Sequence, residues 1–545
     1  MNQPLQLLDH LIFLVYFIGV SGYGYWLYRR KQAEQSAASF FLAEGALTWW
    51  AIGASLIASN ISAEQFIGMS GSGFAMGLAI ASYEWMAAAT LLVVAIFFLP
   101  VYLRNRIYTM PQFLAQRYSP LVATIMAVFW LLVYVFVNLT SILYLGGLAV
   151  STISGFSSTA CIIFLTVFAI LITLGGMKVI GYTDVIQVLV LILGGLATTY
   201  LALDLVAQQF GTSGVWSGLR LLREQADSHF HMIFEPGQRM MPDGKGGLED
   251  AYNKLPGLAV ILGAMWIANL SYWGFNQYIT QRALGADLKT ARSGLLFAAF
   301  LKLLMPVIVV LPGIAAYVLH QQGHFQTEMT ENGVLRPDKA YPVLLDLLPT
   351  GLKGLSFAAL TAAIVASLAG KANSISTIFV LDLYKKYFDP AADERKQVVV
   401  GRVVIVVALC IGAAVAPVLA NFGQAFQFIQ DFTGLISPGV VAIFLLGFFW
   451  KRTTATAALV GALATIPAGL LLESLYKTMP FMHRMGWVFV GLSTLMVVIS
   501  LLDSKNQKRG QLVEVDPEDF RLKAGFVAGA VLVLGILTAL YWVFW

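Results

Sequence analysis

Ala58-Ser59-Asn60-Ile61-Ser62-Ala63-Glu64-Gln65 decides how this chain is read. The stretch sets an asparagine, a glutamine, a carboxylate and two serines inside a segment otherwise apolar enough to span a membrane. Hydrocarbon offers such groups no hydrogen-bond partner, so they must face protein, a water-filled cavity or a ligand. A second polar interruption, Asn269-Leu270-Ser271-Tyr272-Trp273-Gly274-Phe275-Asn276-Gln277, sits at the matching place in a later apolar segment. Two helices broken at corresponding positions form the arrangement from which transporters build a binding site at mid-membrane.

The rest of the chain supports a membrane setting. Its 545 residues are 58% hydrophobic and only 12% charged, with mean hydropathy +0.77. A soluble domain carries about 25% charged residues. A bilayer core of about 30 Å needs roughly 20 apolar residues per helix. Such stretches fall near 10–28, 49–73, 76–104, 121–151, 158–176, 180–205, 257–280, 293–320, 353–385, 400–419, 426–449, 453–473, 482–502 and 523–545. The expected fold is therefore an all-α polytopic membrane protein with 14 transmembrane helices, forming one membrane transport domain over 1–545.

The start, MNQPLQLLDH, has neither a basic leader nor a small-residue cleavage site, so the first span is expected to be retained. The two cysteines, Cys161 and Cys410, lie in apolar spans and imply neither a disulfide framework nor a metal site. The net charge of +5 is distributed as an orientation signal. Arg29-Arg30-Lys31, Arg104 with Arg106 and Arg117, Lys178, Arg282 to Arg292, Lys385-Lys386, Lys451-Arg452 and Lys505 to Arg509 fall in alternate connections. The positive-inside rule makes those faces cytoplasmic and leaves both termini outside. The basic balance thus needs no nucleic-acid partner, and the surroundings are a lipid bilayer, expected to be the inner cell membrane. The connections 206–256 and 321–352 then lie outside. A solvated loop is expected for the first, around Gly244-Lys245-Gly246-Gly247, with a gating element as the alternative; 389–396 reads as a solvated cytoplasmic connection.

Spans two to six begin with the Asn60 interruption and spans seven to eleven with the Asn269 interruption. Each set holds an odd number of spans, so the second enters from the opposite side, as an inverted repeat requires. Within the spans stand Glu64, Glu84, Asp184, Lys302 and Lys371. A charged group near the bilayer centre costs about 2.5–3.5 kcal/mol. Pairing between helices explains any one of them; five together, beside Gln65, Asn138, Asn269 and Gln430, point to a site. Amides both donate and accept, which suits the hydroxyls of a neutral polyol. Tyr83, Trp85, Tyr272, Trp273 and Phe426 stand ready to cover its apolar face. Carbonyls freed at Ala58 and Ile61, with the Ser367 hydroxyl, would suit a sodium ion better than a divalent one. Small residues there would also permit close helix packing, and both readings stay open at this point.

Taken together, these stretches resemble the sodium/solute symporter family, and most nearly its bacterial sodium/galactose and sodium/glucose members. The resemblance rests on Ala54 through Gly73, Ala81-Ser82-Tyr83-Glu84-Trp85-Met86, Phe136 through Ser141, Tyr182 through Gln187, Asn269 through Arg282, and Gly423 through Gln430. It implies a LeuT-like core of two inverted five-helix repeats, within about 49–280 and 257–449, with discontinuous first and sixth core helices. One extra helix (10–28) precedes this core and three (453–545) follow it. It also implies a sugar site of Gln65, Glu84, Asn269, Lys302 and Gln430, with Asn60 nearby and Tyr272 as the inner gate. Met69, Tyr83 and Phe426 match an outer gate; Ala58, Ile61, Ala363 and Ser367 match a sodium site; Asp184 matches the acidic group on the sodium exit path.

Three positions depart from the family pattern. Ala87 and Ala366 replace serines, and Lys371 stands one helical turn beyond Ser367, where an apolar residue is expected. Residues four apart share a helix face, so Lys371 should point toward the sodium site or its exit. The readings weighed are an ion pair with Asp184, snorkelling to the cytoplasmic interface, and proton-coupled or ion-independent transport. The expected function is entry of a monosaccharide, galactose or glucose, coupled to co-transported sodium and needing no organic cofactor. Glu84 would repel a carboxylated substrate, whereas a neutral polyol or a sugar-sensing role remains compatible. GxSxG, a P-loop and a His/Asp metal cluster within the spans are all missing from the sequence, which argues against an enzyme.

Overall fold

The computed structural model describes residues 5–30, 40–41, 47–243, 246–331, 333–421, 425–503 and 513–545. The architecture is helical, and among the described residues eleven helices are long and apolar enough to cross a membrane. Ser158–Thr173 and Val260–Trp273 are shorter apolar helices. Glu64–Arg104 runs for 41 residues, about 60 Å at 1.5 Å per residue. That is twice the bilayer core, and Gly77, at φ 81°, divides it.

Burial ranks the helices from centre to rim. The most apolar window of Leu352–Phe388 is 89% buried, whereas those of Leu7–Gly24 and Ala524–Val543 are 17% buried. A helix surrounded by protein on all sides can carry Ser, Thr, Asn and Lys, because neighbouring helices supply their partners. Leu352–Ile378 does so, with Ser367, Lys371, Asn373 and Ser374 all buried. It packs against Met177–Gln209, and Trp49–Asn60 packs against both Met177–Gln209 and Leu288–Val309. Close approach in the last pair depends on glycine. A Cβ on Gly53 would lie 2.8 Å from the Gly294 carbonyl, and one on Gly294 would lie 3.0 Å from the Trp49 carbonyl.

The fold is all-α, as expected, with two short antiparallel hairpins outside the helices: Met240–Pro242 with Leu248–Asp250, and Thr330–Glu331 with Val334–Leu335. The connection 206–256 is mostly exposed or half-buried, as a solvated loop would be, but part of it is ordered. It holds the helix Val215–Gln225 and seats His229, 1% exposed, on the end of the first broken segment. His229 Nε2 lies 3.1 Å from the Phe74 carbonyl and 2.5 Å from Arg239 Nη2. Burial, with the Arg239 charge second, lowers the imidazole to about 3. Within 389–396, a turn from Asp389 leads into the helix Glu394–Val415, and Asp389 ion-pairs with Lys396 at 2.5 Å.

Candidate functional site

Trp49–Asn60 ends at Asn60, and Ile61 is extended at φ −76°, ψ 110°. The chain re-enters a helix at Glu64 as a wide, π-type turn. Ser62 and Gln65 explain why it breaks there. Ser62 Oγ accepts from the Glu64 backbone N–H at 3.1 Å, while Gln65 Oε1 accepts from the Ser62 N–H at 3.1 Å. This reciprocal exchange resembles a capping box and satisfies donors that a new helix start leaves unpaired.

The second break lies in the later half of the polar stretch Asn269–Gln277. Met265–Trp273 continues through Asn269, whose Nδ2 donates to the Met265 carbonyl at 3.1 Å. The helix stops at Gly274 and resumes as Gln277–Leu284. Tyr102 Oη donates to the Gly274 carbonyl at 2.9 Å. Tyr134 Oη donates to Asn276 Oδ1 at 2.5 Å and accepts from the Gln277 N–H at 3.1 Å. Side chains from two other helices thus replace the backbone partners lost at the break.

Asn60 joins the two breaks. Its Nδ2 donates to Tyr272 Oη at 2.9 Å, and its Oδ1 accepts from Lys302 Nζ. Lys302 also donates to and ion-pairs with Glu84 Oε2, and its ammonium lies 5.0 Å from the centre of the Trp273 ring. Lys302 is 0% exposed and Glu84 3%. A buried ion pair persists only when further hydrogen bonds satisfy it; Asn60 supplies one here.

These groups line a cavity of about 130 Å³. All seven residues expected to touch the substrate border it: Asn60, Gln65, Glu84, Asn269, Tyr272, Lys302 and Gln430. So do Met69 and Tyr83 of the expected outer gate, and the Tyr83 hydroxyl reaches the Gln430 side chain. The Phe426 side chain lies outside the described residues. Glu64, Asn138, Tyr134, Asn276 and Tyr278 also border the cavity.

At the expected sodium site, Ser367 Oγ donates to the Ser59 carbonyl at 3.0 Å. That oxygen lies between Ala58 and Ile61, and Ala363 stands one turn before Ser367 on the same helix. The hydroxyl, the C-terminal helix end and the small neighbours form a donor set compatible with a monovalent cation.

Lys371 does not pair with Asp184. Asp184 Oδ2 lies 3.6 Å from Arg282 Nη2 and accepts from Ser55 Oγ at 2.5 Å. Snorkelling is excluded as well, because Lys371 is 0% exposed; its Nζ donates to Ser367 Oγ at 2.9 Å. Arg282, read from the sequence as a connection charge, is 1% exposed, and its Nε donates to Ser55 Oγ and the Ser55 carbonyl at 2.8 and 3.0 Å. The missed signal was its place directly after the second polar interruption, where a cation can turn inward to a buried carboxylate.

The chain is similar to proteins of known function along most of its length. The sodium/glucose cotransporter of Vibrio parahaemolyticus is 45% identical over all of this chain and 99% of its own length. The human sodium/myo-inositol cotransporter 2 is 33% identical over 85% of this chain and 69% of its own. A sodium-coupled sialic acid symporter, solved in a substrate-bound outward-open state, superposes with a TM-score of 0.77 at 21% identity, covering 91% of this chain and 98% of that one. The model of the sodium:solute symporter family matches residues 40–465. With this match and a full-length relative behind it, the chain belongs to the sodium:solute symporter family.

Proposed function

We propose that the protein is a secondary active symporter coupling the entry of a monosaccharide, galactose or glucose, to sodium. The observation that carries this reading is the network Tyr272–Asn60–Lys302–Glu84 on the wall of a cavity between two broken helices. One buried water takes roughly 10–15 Å³ of such space, so a cavity of about 130 Å³ admits about ten small groups. Amides, an ammonium and a carboxylate offer both donors and acceptors to the hydroxyls of a hexose, and Tyr272 and Trp273 offer ring faces. The relative at 45% identity, a sodium/glucose cotransporter, supports the same reading.

The proposed core is LeuT-like, with inverted repeats within 49–280 and 257–449, a helix before it and three after. Fourteen crossings follow if the eleven long helices are joined by Ser158–Thr173 and Val260–Trp273, with Glu64–Arg104 counted twice because Gly77 divides it. In this reading the basic connections face the cytoplasm, both termini lie outside, and the protein resides in the inner cell membrane. Sodium binds beside Ser367, sugar binds at Asn60 and Lys302, and the two sides open in turn as one repeat rocks against the other. At roughly 150 mV one cation contributes about 3.5 kcal/mol, from 2.3 kcal/mol per 100 mV. That is a few hundred-fold in sugar concentration at about 1.4 kcal/mol per decade, so one ion suffices.

Uptake of labelled glucose, galactose and myo-inositol into proteoliposomes, under imposed sodium, proton or potassium gradients, tests the function. Accumulation of a hexose with the sodium gradient alone is expected. Equal uptake under all three gradients contradicts it.

A further inference from the structure

The Lys371 ammonium stands where the family resemblance places a cation. Its Nζ donates to Ser367 Oγ at 2.9 Å, and that hydroxyl donates to the Ser59 carbonyl at 3.0 Å. The last carbonyls of Trp49–Asn60 lack intrahelical partners and carry the negative end of its dipole, which favours a cation. The Tyr278 ring lies 4.6 Å from the nitrogen, its face attractive to positive charge. Lys371 has no exposure, so this charge is held at the break by the same hydroxyl that would ligate sodium.

Two charged neighbours act on it. Arg282 repels, but Asp184 neutralises Arg282 at 3.6 Å; Glu64 attracts. Glu64 is 8% exposed, and its two oxygens differ. Oε2 accepts from Ser62 Oγ at 3.3 Å, whereas Oε1 is buried with no hydrogen-bond partner among the described residues. A buried acceptor left unmatched is costly, and a carboxylate oxygen in that condition is a receiving station for an ammonium. Lys371 is held at the Ser367 hydroxyl, and Glu64 leaves one carboxylate oxygen unmatched. Glu64 also borders the sugar cavity.

We propose that the Lys371 ammonium is a tethered competitor for the sodium seat beside Ser367, and that sodium enters as the lysine swings from Ser367 to Glu64. This rests on the reading of the protein as a sodium symporter. It explains how a chain carrying a lysine at the seat still admits sodium: the positive charge is moved onto a waiting carboxylate rather than expelled from the protein. It also links the ion seat to the sugar cavity, because Glu64 lines that cavity.

Equilibrium retention of radioactive sodium by the purified full-length protein, with potassium as control salt, tests the proposal. Lys371→Met should bind sodium about tenfold tighter or more, while Lys371→Arg, which keeps the charge, should not tighten it. Glu64→Gln should weaken sodium binding, and Lys371→Met added to it should remove that defect. Sodium affinity in Lys371→Met equal to or weaker than in the unaltered protein overturns the proposal. If that variant does not fold, Lys371→Gln takes its place, with sodium-dependent thermal stabilisation as the readout and the same expectation. Equal sodium binding alongside sodium-driven uptake sinks the lysine exchange alone. Absence of both sodium binding and sodium-driven uptake sinks the symport reading with it.

Discussion

Asn60 and Tyr272 lie 212 positions apart, and their side chains meet at 2.9 Å. The contact joins the end of the first broken helix to the last turn before the second break. Because Lys302 holds the other side of the same amide, one asparagine senses both breaks and the ion pair behind them. A ligand hydroxyl inserted here would displace or extend this hydrogen-bond chain, so binding and the relative position of the helices are coupled through a few atoms.

Glu84 and Lys302 should behave as a unit. Removing one partner of a buried ion pair costs about 3–5 kcal/mol, because the other charge is left unmatched. Lys302→Met and Glu84→Gln should each lower thermal stability strongly, and the double variant should be more stable than Lys302→Met alone. None of the three should bind sugar. Thermal unfolding in detergent with a sugar-binding assay checks both parts; additive losses of stability would contradict the pairing.

Gln65 has a structural duty beside its place on the cavity wall. Gln65→Ala should lose about 1 kcal/mol, the usual worth of a cap, whereas Gln65→Glu, which keeps the acceptor but adds a charge beside buried Glu64, should lose more. Sugar binding should fall in Gln65→Ala beyond what its stability loss explains. Unfolding midpoints and sugar affinities of the two variants separate cap from pocket.

Gly77 is required by both conformation and space. Its φ is 81°, and a Cβ would meet the His229 carbonyl at 2.3 Å. Gly77→Ala should cost at least about 1–3 kcal/mol from backbone strain alone. Sugar affinity of the folded fraction should change little, since Gly77 is outside the cavity lining. The thermal midpoint and the affinity, measured on the same preparation, give the comparison.

His229 should make stability pH-dependent. Its folded value is about 3 against an ordinary 6.5, so between those values the unfolded chain binds a proton that the folded chain refuses. Stability is then complete above about pH 6.5 and falls as the medium is acidified, by about 2 kcal/mol at pH 5, since each unit is worth about 1.4 kcal/mol. His229→Gln should flatten the thermal midpoint between pH 7.5 and 5 relative to the unaltered protein. An unchanged slope would place the titrating group elsewhere.

How much of this was legible depends on whether partners lie near in sequence. Polar residues such as Asn60 and Glu84 in apolar spans announce a site because hydrocarbon cannot satisfy them. The Ser62-to-Gln65 cap is equally readable as a local motif. Partner choice was not readable: the i,i+4 spacing aims Lys371 at Ser367, but nothing local says that Asp184 is taken by Arg282. The second break, at Gly274 to Asn276, falls inside the polar stretch Asn269–Gln277, but Asn269 itself belongs to an intact helix, its amide bonded back to Met265. The two hairpins span only two or three residues per strand, too short for an alternation pattern to show.

The central claim is that Asn60 holds the sugar while tying the two breaks together. Equilibrium binding of labelled glucose or galactose to the purified Asn60→Ala protein tests it most directly. Leaving a buried hydrogen-bond partner unmatched costs about 1–3 kcal/mol, so affinity should fall about fivefold or more in protein that remains folded. Folded Asn60→Ala protein that binds sugar as tightly as the unaltered chain would contradict the account.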